Sequence, residues 1–302
     1  MTPATTSDPY GFPTADAERV VATALLEDLG PQHRDVTTLA TIPEGQRESA
    51  VIVARAAGVV AGLPVIDLVL AAVDQEVGTG RVEGDLVVGE GDRVEKGAIL
   101  ARLSGPARTL LISERTILNI LSRLSGVATH TRRWADELQG TRALVLDTRK
   151  TTPGLRALEK YAVRCGGGTN KRMGLYDVAM IKDNHKLAAG SLTAAYEAIA
   201  TAYPDVPIQV EVTTTDEALE AVAAGARFIM CDNMSTDLLR RTVEALEGTG
   251  EEVEVEATGG LTLEVARAYA ETGVDYLSVG GLTHSSPILD IALDLESEPD
   301  GE

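Results

Sequence analysis

The sequence predicts an α/β protein in two parts: a front segment of mixed α+β character, then an incomplete α/β barrel of about six or seven parallel strands. Three observations lead there. Apolar runs at 142–147, 178–182, 208–212, 228–231, 253–257 and 275–279 alternate with helical stretches beginning near Pro153, Ser191, Thr215, Ser235 and Thr262. Such alternation specifies parallel strands joined by helical crossovers. Six counted strands fall short of the eight that close a TIM barrel, which favours an incomplete barrel over a flat doubly wound sheet. Finally, chemistry-bearing residues gather at the C-terminal end of each run, where the βα loops of a barrel form one concave face.

From the N-terminus, residues 1–14 read as a loose end and Ala15–Leu29 as an amphipathic helix. Residues 47–112 change to short β-branched runs separated by glycines. Within them, VVGEGDRVEKGAILARLSG has a strand, turn, strand pattern with Gly91 and Gly97 as turn residues, similar to the hammerhead hairpins of lipoyl and biotinyl carrier domains. Lys96 is too loosely placed for a carrier lysine and reads as a solvated turn residue. Ser113 is a candidate N-cap for a helix carrying Ile117, Ile120, Leu121 and Leu124 on one face. The expected domains are therefore 1–115 and 116–285, with 286–302 returning to the first; the acidic tail after Asp294 reads as a second loose end.

The net charge of −19 and a pI near 4.6 argue against a non-specific nucleic-acid binder or a polybasic membrane binder. The charge is uneven. Arg142–Lys186 holds ten Lys/Arg against four Asp/Glu, a net of +6, which leaves −25 for the remainder. Two cysteines, Cys165 and Cys231, make neither a disulfide framework nor a metal set and suit a reducing cytoplasm. His33, His130 and His185 are too far apart for ligand spacing. The start MTPATTSDPYGF lacks the features of a secretory signal, and the most apolar stretch, 58–73, is broken by Pro64 and Asp67, so neither a leader nor a membrane span is expected.

The strand ends carry Asp147, Arg149 and Lys150; Lys182 and Asp183; Glu211; Asp232; Glu256 followed by Thr258-Gly259-Gly260; and Gly280-Gly281. A single charged loop residue is usually only solvated, but charged ends on five strands in register call for a site. The two glycine pairs offer free backbone N–H groups near helix starts, the usual phosphate site of barrel enzymes. Arg149, Lys150, Arg172 and Lys182 form a cationic floor, and arginine suits planar carboxylates. Glu211 and Asp232 suit a divalent metal or a developing positive charge. A polyanion, a metal and a cationic transition state together describe phosphoribosyl transfer.

The run TRKTTPGLRALEKYAVRCGGGTNKRMGLYDVAMIKDNH, 148–185, resembles the signature of the quinolinate phosphoribosyltransferase family, also called nicotinate-nucleotide pyrophosphorylase. SERTILNILSRLSGVAT, FIMCDNM, EATGG and DYLSVGGLTHSSP extend the resemblance to about residues 15–295. It implies an open α/β sandwich before the barrel, an intertwined homodimer, Mg2+ as cofactor, and quinolinate and phosphoribosyl pyrophosphate as substrates. By resemblance Lys150, Lys182, Glu211 and Asp232 are catalytic, the last two also meeting magnesium. Arg149, Lys171 and Arg172 line the quinolinate pocket, and Thr258, Gly259, Gly260, Gly280, Gly281 and His284 hold the 5′-phosphate. Arg115 matches an arginine that the family inserts from the neighbouring subunit. Two departures stand out: Lys171 replaces the histidine usual in GGGxNHR, and Thr258 replaces a serine.

The expected reaction is attack of the pyridine nitrogen on C1 of the ribose, followed by loss of carbon dioxide to give nicotinate mononucleotide, a step in NAD biosynthesis. Three other readings fit the same residues: phosphoribosyl transfer to another pyridine carboxylate, a lyase or aldolase forming an imine on Lys182, and a non-catalytic phosphate or carboxylate sensor prompted by Lys171.

Overall fold

In the computed structural model, which describes residues 10–296, the chain runs through α1 (Thr14–Leu29), α2 (Val36–Thr41), β1 (Arg47–Ala54), β2 (Gly58–Val59), α3 (Pro64–Val77), β3 (Glu83–Leu86), β4 (Arg93–Val94), β5 (Ile99–Pro106) and α4 (Ala107–Glu137). Then follow β6 (Leu144–Leu146), α5 (Arg156–Cys165), β7 (Ala179–Ile181), α6 (Asp183–Ala189), α7 (Leu192–Ala202), β8 (Ile208–Val212), α8 (Thr215–Ala223), β9 (Phe228–Asp232) and α9 (Thr236–Glu247). The last elements are β10 (Glu254–Thr258), α10 (Leu263–Ala270), β11 (Tyr276–Ser278), α11 (Gly281–His284) and β12 (Ile291–Glu296). Contacts divide the chain into two units: one of residues 1–130, 152–167 and 285–302, the other of 131–151 and 168–284.

The first unit carries an antiparallel sheet in the order β12-β1-β5-β3. The returning segment supplies β12, which pairs along β1 from Ser49–Glu296 to Ala54–Ile291. The expected β4–β5 hairpin is different. Gly91 and Gly97 do turn the chain with φ of 81° and 91°, but β4 pairs with β2 while β5 pairs with β1 and β3. Neighbours remote in sequence outcompete the local pairing. Lys96 is exposed, as a turn lysine should be. Tyr10 and Phe12, expected in a loose end, instead set their rings edge-on to buried Tyr161, at 6.4 and 5.1 Å between centroids. The tail likewise remains in β12 through Glu296; residues 1–9 and 297–302 lie outside the described part.

Helix α4 begins at Ala107, and Ser113 is buried inside it rather than capping it. The Ala107 N–H already has an acceptor in the Gln46 carbonyl (2.9 Å), so no cap is needed six residues later. The expected domain cut at 115/116 falls within this helix. Gly126 lets the C-terminal segment cross it closely: a Cβ there would overlap the Pro287 carbonyl, and the Leu289 N–H donates to the Ser122 carbonyl at 3.0 Å. Helix α5 follows β6 in sequence yet belongs to the first unit, where its Glu159 is fully buried against Arg123.

Glu90 shows how that unit seats α3. Its carboxylate accepts the Gly62 N–H (2.9 Å), the Leu63 N–H (2.5 Å) and the Cys165 thiol (3.5 Å). Burial nonetheless pushes its pKa above the usual glutamate value, and burial with the Glu90 charge pushes the Cys165 thiol up, which leaves it inert. A raised folded pKa contributes stability below the unfolded glutamate value that is lost as pH climbs through the folded one. Glu90→Gln is therefore expected to flatten the fall in urea stability between acidic and neutral pH; an unchanged slope would mean that Glu90 does not titrate in the fold.

The second unit carries six parallel strands in the order β6-β11-β10-β9-β8-β7. The order runs one way round without the reversal of a doubly wound sheet, so the succession is that of a barrel, open between β6 and β7. At that opening Thr169 bridges to Leu146. The expected helix starts are confirmed at α7, α8 and α9, where the hydroxyls of Ser191, Thr214 and Ser235 accept the N–H groups of Ala194, Glu217 and Leu238.

Candidate active site

The site is built on the C-terminal ends of the strands of the second unit. After β6, buried Asp147 accepts the Asn170 side-chain amide (2.7 Å) and the Lys171 N–H (2.8 Å). It anchors the loop that fills the opening instead of meeting solvent, a correction to its expected place among the charged strand ends. That loop delivers Arg172, whose Nη1 donates to the Val178 carbonyl at 3.2 Å. Burial and the neighbouring Arg149 hold the Arg172 guanidinium below its ordinary pKa, with Asp177 offsetting part of the effect. Two guanidiniums that repel one another favour an anion between them.

At the end of β7, Lys182 forms an ion pair with Glu211 from the end of β8; their side chains are 44% and 13% exposed. The Lys182 N–H donates to His185 Nδ1 (3.1 Å), so His185 fixes the start of α6. Lys186, which the sequence did not single out, donates to the Glu211 carbonyl (3.0 Å), Glu217 (3.2 Å) and Asp183 (2.8 Å). Burial opposes its charge, yet Asp183 and Glu217 raise its pKa.

At the end of β9, Asp232 accepts from the Asn233 side-chain amide at 2.8 Å, and the Asn233 N–H donates to the Thr258 carbonyl at 2.9 Å. Gly259 and Gly260 follow with φ of 94° and 58°. A Cβ on Gly259 would strike the Asn233 side chain, so the turn requires glycine on two counts. After β11, a Cβ on Gly280 would lie 2.9 Å from Lys150 Cδ and 3.2 Å from His284 Nε2. The Thr283 hydroxyl, on the short helix α11 opened by Gly281, donates to the Lys150 carbonyl (2.8 Å). The structure thus gathers Lys150, Gly280 and His284 in one corner, Asp232, Thr258 and Gly259 in another, Lys182 with Glu211 in a third, and Arg149 beside Arg172.

The chain matches the model of the quinolinate phosphoribosyl transferase N-terminal domain over residues 35–125 and that of the C-terminal domain over residues 127–294. It belongs to the quinolinate phosphoribosyl transferase family. Relatives include the nicotinate-nucleotide pyrophosphorylase [carboxylating] of Mycobacterium leprae, 44% identical over 93% of this chain and 98% of that one. The probable enzyme of the same name from Bacillus subtilis is 45% identical over 89% and 90%. Among solved structures, the nicotinate-nucleotide pyrophosphorylase of Francisella tularensis superposes with a TM-score of 0.88 at 32% identity, covering 95% of this chain and 98% of that one. That of Ehrlichia chaffeensis gives 0.85 at 34% identity, covering 92% and 98%.

Measured against the residues expected of a quinolinate phosphoribosyl transferase, two depart from their expected surroundings. Glu256 was counted among the charged strand ends, but it is fully buried. The strand register sets it level with Met230, one layer of ~6–7 Å beneath Thr258. Lys171, expected on a substrate carboxylate, places its Nζ 2.5 Å from Glu256 Oε2, with only 6% of its side chain exposed. Arg115 lies in the first unit on α4, with its side chain 64% exposed and Glu114 3.8 Å away. Three of the ten cations counted between 142 and 186, namely Arg156, Lys160 and Arg164, sit on α5 in the first unit; Arg164 donates to the Tyr10 carbonyl at 2.6 Å.

Proposed function

We infer that this protein transfers the phosphoribosyl group of phosphoribosyl pyrophosphate to quinolinate with decarboxylation, giving nicotinate mononucleotide, pyrophosphate and carbon dioxide, a step of NAD biosynthesis. What supports the reading is that the like charges of Arg149 and Arg172 act on one another in the unit that also carries the Gly259-Gly260 turn, a combination suited to a dicarboxylate and a phosphate. Arg149 and Arg172 bind the quinolinate carboxylates. The backbone N–H groups of Gly259, Gly260, Gly280 and Gly281, with Thr258 and His284, hold the 5′-phosphate. Lys150 and Lys182 balance the charge of the bound anions, and an arriving anion competes with Glu211 for Lys182.

The C1–O bond breaks with its electron pair leaving on pyrophosphate, while the pyridine nitrogen lone pair forms the new bond to C1. Glu211 faces the oxocarbenium-like sugar, and its negative field favours that state. Quaternising the nitrogen makes the ring an electron sink; the adjacent carboxylate leaves as carbon dioxide, and a proton takes its place on carbon. No protein nucleophile is needed; the enzyme acts by position and field. Lys182 is half-exposed on Glu211, not in the apolar pocket that imine chemistry favours, which weighs against the lyase reading.

Magnesium fits the donor set in one way. Among the described residues no group of three or more His, Cys, Asp or Glu is arranged to hold a metal. Two carboxylates, Glu211 and Asp232, suit an ion that keeps most of its ligands as water and substrate phosphate oxygens. When bound, it would neutralise charge on the leaving pyrophosphate.

The working form is proposed to be a cytoplasmic homodimer, able to assemble further, into which Arg115 reaches from the partner subunit. Its exposure on α4 supports that role, and two buried, unpaired thiols suit a reducing compartment. No helix of the described residues is long and apolar enough to cross a membrane. The test is turnover: quinolinate, phosphoribosyl pyrophosphate and Mg2+ should yield nicotinate mononucleotide, and turnover of nicotinate alone would overturn the substrate. Mixing inactive Arg115→Ala with inactive Lys182→Ala subunits should recover part of the activity, since half of the mixed dimers' sites would be intact; no recovery would refute the shared site.

A further inference from the structure

Lys171, one of the two residues by which this chain departs from the family pattern, is engaged beneath the strand ends. Lys171 Nζ lies 2.5 Å from Glu256 Oε2, 3.4 Å from Met230 Sδ and 5.6 Å from the centre of the Phe228 ring. Glu256 is fully buried, and its other oxygen, Oε1, has no hydrogen-bond partner, so the lysine is the charge that compensates it. Burial lowers the Lys171 pKa and Glu256 offsets part of that, while Lys182 and Arg172 act on it as like charges; Lys171 therefore lies within electrostatic reach of the site's cations.

The same short segment is tied to β6 as well. Thr169 N–H donates to the Val145 carbonyl (2.8 Å), Asp147 N–H to the Thr169 carbonyl (3.2 Å), and Asn170 and Lys171 both donate to the Asp147 carboxylate. The next residue is Arg172. These bonds fasten the loop to the strand on one side of the opening, and the Lys171–Glu256 pair ties it to β10 across the interior.

We propose that Lys171 is a positioning residue: its ammonium holds the loop on Glu256 and so aims Arg172 at the dicarboxylate, without itself touching substrate. A buried pair can serve this purpose because breaking it leaves a charge that the surroundings do not solvate, which makes the seated arrangement sharply preferred. The proposal rests on the reading that Arg172 grips quinolinate, and it changes the meaning of the lysine: the extra cation adds no anion-binding charge, since Glu256 cancels it.

The experiment is steady-state kinetics on Lys171→Met, Glu256→Gln and the double variant, with thermal melts to establish folding. Each single variant should raise the KM for quinolinate about tenfold through misplacement of Arg172, with kcat and the KM for phosphoribosyl pyrophosphate changed less than about threefold. The double variant should be no worse than either single, because both remove one pair. Lys171→Arg, which keeps the pair, should restore most of the affinity. A direct contact of Lys171 with substrate predicts otherwise: Glu256→Gln would leave the quinolinate KM at or below its starting value, and that result overturns the proposal. Should Glu256→Gln fail to fold, Glu256→Asp keeps the charge and withdraws it by one methylene; a raised quinolinate KM then supports positioning, and an unchanged one refutes it. Arg172→Ala separates the two levels. If it leaves quinolinate KM unchanged, the reading of the pocket fails; if it raises KM while Glu256→Gln and Glu256→Asp do not, only the role of Lys171 fails.

Discussion

Arg149→Ala is expected to lower kcat/KM for quinolinate by about 10²–10³-fold, mostly through KM, with a much smaller effect on phosphoribosyl pyrophosphate. The guanidinium lies just beyond the end of β6, and its charge opposes that of Arg172. A dicarboxylate held by both, as proposed, would relieve that opposition and accept charge-assisted hydrogen bonds from each, and removing one partner of such a contact costs about 2–5 kcal/mol. Initial rates with quinolinate varied at saturating phosphoribosyl pyrophosphate are the measurement. A KM near the starting value would mean that the anion grip lies elsewhere among Lys150, Arg172 and Lys182.

Arg123→Met is expected to destabilise the first unit by about 3–5 kcal/mol, the usual consequence of leaving a buried charge without its partner. Arg123 on α4 donates from Nη2 and Nε to Glu159 Oε1, at 2.7 and 3.1 Å, and from Nη1 to the Ser286 carbonyl at 3.1 Å. Glu159 is fully buried and accepts further bonds only from the Thr152 N–H (3.0 Å) and hydroxyl (2.7 Å) among the described contacts. One guanidinium thus joins α4, the helix α5 and the returning C-terminal segment. Urea unfolding measures the loss. Glu159→Gln in the same background should recover part of it by removing the uncompensated charge; no recovery would show that packing rather than charge holds the three pieces.

Much of this was legible in the chain. Hydrophobic periodicity set the succession of strands and helices in the second unit, and the helix starts read near Ser191, Thr215 and Ser235 fall within a residue of those observed. Lys182, Glu211 and Asp232 could be placed at strand ends because an apolar run that stops at a charge in a parallel sheet stops at the βα loop. The glycine turns were readable from Gly259 and Gly260, which need φ values that other residues resist. Pairing was not. The alternation in the β4–β5 region is the same whether those strands pair with one another or with β2 and β1, and only distant neighbours decide between them.

By itself, then, the sequence determined the α/β class, the run of elements that becomes an open barrel, the cationic segment between Arg142 and Lys186 and the family motif it contains. Those are local properties: periodicity, turn chemistry and charge along a line. Tertiary structure decided what each charge is for. It assigned Arg156, Lys160 and Arg164 to the first unit, turned Asp147 into a loop anchor, and sank Glu256 one layer below the strand ends to meet Lys171. A charge acts through its partners and its depth, and both are set by residues far away in the chain: 85 positions separate Lys171 from Glu256.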